Sequence, residues 1–173
     1  MKAGTRNIVI IAGICMAMLN PLFAQTPEDA IGFWKTVDEK EGFTTSIMAV
    51  YEYEEKLYGR IIVSFDEKTG ALLETHRNPS QRIKTIADQP KLLEVDLFWE
   101  LERAEDRWRG GRILDPRSGR SFTCDCWVDD QKLILRGRIG PFGLNSVFYP
   151  VHQRDFPAGY APPELNRIVP NKP

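Results

Sequence analysis

At 173 residues the chain has the size of one domain, enough to bury a core that folds without a metal or a disulfide. Its formal net charge is −1, and removing an N-terminal segment with Lys2 and Arg6 makes the rest two units more negative. Nucleic acid is excluded as an expected partner, because phosphate backbones are held by clustered positive charge.

In chain order, residues 1–24 read as a signal peptide: Lys2 and Arg6, an apolar run from Ile8 to Leu19, then Ala24 before Gln25. Cleavage is expected after Ala24. The run stops at Asn20-Pro21, short of the ~20 residues that a helical span needs, so no transmembrane segment is expected in the mature chain. Lipidation at Cys15 competes with this reading, but Ile14 stands where a small residue is wanted and cleavage there would split the run. The expected location is the periplasm or cell envelope.

Residues 25–155 read as one β domain. From Phe33 to Val151 short alternating runs are separated by turn-forming clusters, the pattern of an antiparallel meander. Strands are expected at 33–38, 44–53, 56–65, 91–102, 107–114, 120–128, 132–139 and 144–151. The fullest alternation sets Leu93, Val95, Leu97, Trp99 and Leu101 against Glu94, Asp96, Phe98, Glu100 and Glu102. A helix competes there, since Leu93, Leu97 and Leu101 are also spaced by four, but period two is the more complete. Turns are expected at Glu54-Glu55-Lys56, at Asp115 to Gly119 and at Asp129-Asp130-Gln131. The fold class is all-β, an antiparallel up-and-down barrel of about eight strands.

Gly-Arg-Ile occurs at Gly59, Gly111 and Gly137. Alternation places each Gly and Ile inside with Leu57, Val63, Leu133 and Leu135, and each Arg in water, the glycines serving barrel curvature. Residues 66–90 form a connection too long for a hairpin, a lid or a mobile excursion. Residues 156–173 read as a proline-rich tail, extended or disordered. Cys124 and Cys126 sit two apart on a strand, near the upper limit of disulfide reach, and read as buried thiols. A metal site would lack ligands.

Three stretches carry a likeness to a known family. They are Trp108-Arg109-Gly110-Gly111-Arg112-Ile113-Leu114-Asp115-Pro116, Ser118 to Cys124, and Leu135-Arg136-Gly137-Arg138-Ile139-Gly140. With Trp34-Lys35-Thr36, Lys56 to Ile61 and Asn78-Pro79, they make residues 31–151 resemble the exported bacterial family called domain of unknown function 2147, while Gly32-Phe33-Trp34 resembles the opening of lipocalin-type barrels. The resemblance implies a lipocalin-like barrel in the cell envelope and brings no activity or cofactor with it. The family's last strand usually ends in Trp-x-Arg, whereas this chain reads Phe148-Tyr149-Pro150. An arginine capping the barrel must then come from elsewhere; Arg136 over Trp34 is one reading, a surface arginine the other.

Catalysis is poorly supported, since His76 and His152 lie in no nucleophile motif, and Asp129-Asp130 and Glu54-Glu55 fall in turns. The interior is more informative: alternation lines it with Tyr51, Tyr53, Leu93, Val95, Leu97, Trp99, Phe122, Cys124, Cys126, Leu133 and Leu135. A barrel of this size either fills its inside or holds one small ligand. Binding of a small apolar molecule leads; a filled barrel that meets an envelope protein is the alternative, and an enzyme comes last.

Overall fold

A computed structural model describes residues 26–173. The expected signal segment and Cys15 lie outside the described residues. The strands are β1 (Gly32–Val37), β2 (Thr44–Tyr53), β3 (Lys56–Phe65), β4 (Leu72–Thr75), β5 (Phe98–Arg103), β6 (Trp108–Asp115), β7 (Arg120–Asp129), β8 (Lys132–Ile139) and β9 (Phe142–Pro150). All pairings are antiparallel, and eight strands form a closed up-and-down barrel in the order β1-β2-β3-β5-β6-β7-β8-β9, with β9 returning to β1. The short β4 shares an edge of β3 with β5: β5 takes Lys56 to Gly59, β4 takes Val63 to Phe65. Among the described residues, every strand and every core cluster lies within residues 27–173.

Alternation explains most of the wall. Met48 and Val50 on β2, Leu57 on β3, Cys124 and Cys126 on β7, and Leu133 and Leu135 on β8 all point inward to one buried cluster with Trp34, Trp108 and Phe148. Tight turns at Glu54-Glu55 and Asp130-Gln131 use positive φ at both central residues, which matches the twist of the strands they join.

Several bulges break the alternation, and two of them move residues expected inside. In β3 the register jumps so that Val63 faces Ile47 and Ile61 faces Met48. The bulge turns Val63 outward, against the expectation that it lies inside. In β5 Glu100 takes φ 58°, which brings Phe98 and Leu101 both inside and turns Trp99 out.

The expected strand 91–102 is corrected accordingly: Leu92–Glu94 is a single 3₁₀ turn, and the strand starts at Phe98. Val95 and Trp99 pack outside the barrel with Ile83, Ile86, Leu92 and Leu114. Segment 66–90 is not a bare excursion either. It contains β4 and folds back on the wall, with the buried Glu74 accepting from Ser80 and Gln81. The tail is extended but docked, its Phe156, Tyr160, Leu165 and Ile168 covering Ile47, Ala49, Ile62 and Val63 on the outer face of β2 and β3.

Candidate functional site

The barrel has one plugged end. A 3₁₀ turn at Pro27–Ala30 sits beneath the strands, where the Trp34 indole donates to the Ala30 carbonyl and the Trp108 indole to the Pro27 carbonyl, each at 2.8 Å. Both indoles are buried, so each donor needs the partner it has. Arg103 lies 4.9 Å from the Trp108 ring centroid and pairs with Glu28 and Glu52. That hydrogen bond to Arg103 holds the Glu28 carboxyl below its ordinary value. The arginine cap thus exists, supplied by Arg103 over Trp108. Arg136 does not provide it, because on β8 Leu135 and Gly137 point inward and Arg136 between them faces out, meeting Asn145.

At the other end the wall continues but the filling stops. A hollow of about 530 Å³ opens there, lined by Leu97, Ile113, Phe122, Gly137, Leu144 and Phe148 and rimmed by the β6–β7 turn at Asp115 to Arg117. Its floor is the packed cluster of Phe98, Leu135 and Cys124. On the β1–β3 side a more polar hollow of about 440 Å³ is lined by Thr36, Ser46, Ile61, Ser64 and Gln81 among others. The wall is also incomplete at this end. β9 meets β1 through two residue pairs, Trp34 with Pro150 and Lys35 with Tyr149, so Phe142 to Phe148 pair on the β8 side alone. Asn145, Ser146 and Val147 are accordingly exposed.

The residues expected to line the interior separate into three places. Leu97 and Phe122 line the hollow. Leu133 and Leu135, with Cys124 and Cys126, lie in the packed floor. Tyr51, Tyr53, Leu93, Val95 and Trp99 are outside the barrel, because β2 turns Val50 and Glu52 inward and the Glu100 bulge reverses β5. The hollow's remaining walls, Ile113, Leu144 and Phe148, carry the alternation that signalled their neighbours but fall at strand ends.

Outside, Tyr51 belongs to a buried polar cluster. Its hydroxyl donates to Asp96 at 2.7 Å and Arg60 Nε reaches the same oxygen at 3.0 Å. The other Asp96 oxygen accepts the Asn171 N–H at 2.7 Å, and Arg60 donates to the Val169 carbonyl at 2.9 Å. Burial raises the Asp96 carboxyl above its ordinary value, with Arg60 opposing. Arg60 is therefore not in water, unlike Arg112 and Arg138 of the other two tripeptides. The cluster ties the tail to the wall.

Chemically reactive groups are quiet. Cys124 and Cys126 are free; burial pushes the Cys124 thiol up to about 12 and Cys126 well above its ordinary value, which suppresses the thiolate needed for nucleophilic or metal chemistry. His76 Nδ1 lies 2.6 Å from the Tyr160 hydroxyl under the tail, and burial lowers its pKa. Among the described residues no group of three or more His, Cys, Asp or Glu side chains is placed to hold a metal ion. No described helix is long and apolar enough to cross a membrane.

Comparison with known proteins agrees with this architecture. Residues 32–148 match the family model described as "Uncharacterized protein conserved in bacteria (DUF2147)". Among solved structures the fold is similar to that of protein HP1028 from the human pathogen Helicobacter pylori, which is described as belonging to the lipocalin family. The identity is 12%, the match covers 73% of this chain and 85% of that one, and the TM-score is 0.55. At that identity the likeness is one of fold. No curated protein matches the chain.

Proposed function

We propose, for a chain that belongs to the DUF2147 family, the role of an exported carrier whose lipocalin-like barrel holds a small apolar molecule in the hollow at its open end. The observation that carries this reading is the contrast between a floor closed by packed side chains and about 530 Å³ of apolar space directly above it. Ligand pockets run from roughly 300 to 1,000 Å³ with mostly apolar walls. Burial there rewards a molecule for each apolar surface it removes from water, at about 25 cal/mol per Å². Export rests on the layout of residues 1–24, with Lys2 and Arg6 ahead of the apolar run. A second reading, an envelope protein that meets a protein partner, is favoured by the exposed stretch of β9 from Phe142 to Val147, whose outer edge has no strand beside it.

Native mass spectrometry of protein purified from its own host tests the carrier reading. A Cβ at Gly137 would sit 3.6 Å from Ile113 Cγ2, in ordinary contact, so Gly137→Leu fits the fold and fills the hollow. A small-molecule adduct on the wild type that is lost from a folded Gly137→Leu variant is the expected result. A folded wild type without an adduct, or an adduct that survives the substitution, ends the proposal.

A further inference from the structure

The tip of the β8–β9 hairpin is apolar where nothing covers it: Ile139, Phe142 and Leu144 are 59%, 78% and 74% exposed. Large side chains in that state, grouped on one tip, mark a surface built to meet something. Beside Phe142 lies a separate hollow of about 450 Å³ on the outer wall, lined by Arg107, Arg136 and Arg138 with Asp125 and Trp127. Arg138 pairs with Asp125, and Arg107 shares Asp106 with Arg109. Arg136 meets the Asn145 amide oxygen at 3.4 Å. Four guanidiniums therefore face two carboxylates, a local positive excess on a chain whose overall charge is −1. Pro141 to Val151 contain no charged residue at all.

We infer that this hairpin docks on an anionic phospholipid bilayer, with Ile139, Phe142 and Leu144 entering the acyl boundary and Arg136 and Arg138 meeting the phosphates. Phosphate suits planar guanidinium donors. An uncharged strand end can enter the interface without dragging an ion into it. A second copy of the chain fits less well, because a self-complementary contact would bring the two arginine patches together. Ile139 and Leu144 also border the ligand hollow, whereas Phe142, Arg136 and Arg138 lie outside it, and the inference goes beyond the carrier reading.

The test is co-sedimentation of the protein purified from its own host with vesicles of phosphatidylglycerol and phosphatidylcholine, and with vesicles of phosphatidylcholine alone. Wild type is expected to bind the anionic vesicles more tightly, and increasingly so as salt is lowered. Phe142→Ser should weaken binding about tenfold. Arg136→Gln with Arg138→Gln should weaken it by roughly twenty-five-fold, at about fivefold per arginine, and flatten the salt dependence. These sites are solvent-facing, so the near-ultraviolet circular dichroism of the buried tryptophans should be unchanged. Phe142→Ser should keep the small-molecule adduct, since Phe142 does not line the hollow, which separates this inference from the carrier reading. A wild type that stays in the supernatant, or variants that sediment like it, overturns the inference. So does a vesicle-free dimer in analytical ultracentrifugation that the Phe142 substitution abolishes, since the tip would then serve a second copy.

Discussion

Gly59 and Gly137 hold the same place in two copies of Gly-Arg-Ile, both facing the barrel interior, yet a methyl group added at Gly59 would run into the Phe98 ring. At Gly137 it would rest in ordinary contact with Ile113, 3.6 Å away. Gly111, the third copy, behaves like Gly59: a Cβ there would lie 2.5 Å from Leu101 Cδ1 and 2.6 Å from the Trp99 carbonyl oxygen. The difference separates a half of the barrel in which glycine admits a neighbour's side chain from a half in which it leaves space. Toward the plugged end, two tryptophans and the Pro27–Ala30 turn supply enough bulk to fill the interior. Toward the open end, β9 outruns β1, small side chains such as Ser46 and Ser64 replace large ones, and the hollow remains.

The comparison breaks most readily on the aromatic residues. Trp108→Ala removes a fully buried ring and its hydrogen bond to Pro27, and should cost about 4 kcal/mol. Phe122→Ala, half-buried at the hollow, should cost about 1 kcal/mol, because its side chain already borders open space. Urea midpoints of the two variants measure the gap; equal losses would mean that the upper half is packed too. The glycines give the next largest contrast. Gly111→Ala should destabilise by about 2 kcal/mol through overpacking, while Gly137→Ala should stay within about 0.5 kcal/mol of wild type.

Two smaller effects ask whether the strapped outer face of β2 and β3 belongs with the rigid half. Tyr51→Phe deletes the hydroxyl that donates to buried Asp96 and should cost about 1–2 kcal/mol, read by the same denaturation. The smallest effect is with pH. Burial lowers the His76 pKa from its ordinary 6.5, so the folded state favours the neutral ring. The stability this gives is present above that ordinary value and is lost as pH falls through the depressed folded one. Exchange protection of residues 156–168 should therefore drop on acidification from neutrality, and His76→Asn should remove the dependence.

Much of the wall was legible from alternation. Leu133 and Leu135 lie in the floor, Leu97 and Phe122 border the hollow, and the meander closes as an up-and-down barrel with a lipocalin-like fold. Val95 and Trp99 were misplaced because a bulge or a change of strand start reverses the side chains beyond it, and Tyr51 because β2 is apolar on both faces, the Ile47 and Ala49 side being covered by the tail. The cap went to Arg103 instead of Arg136 because Arg136, between two inward residues of β8, faces out, while strand pairing sets Arg103 directly opposite Trp108.

What the chain determines by itself is local. Period-two alternation and turn residues specify strands, their antiparallel pairing and the number that closes the ring, because each of these choices is made within a dozen residues. The bulges at Ile62 and Glu100, the docking of the tail on Asp96 and the hollow above the floor were decided in three dimensions. Each depends on how much volume distant strands deliver to the same level of the barrel, and no local pattern records that sum.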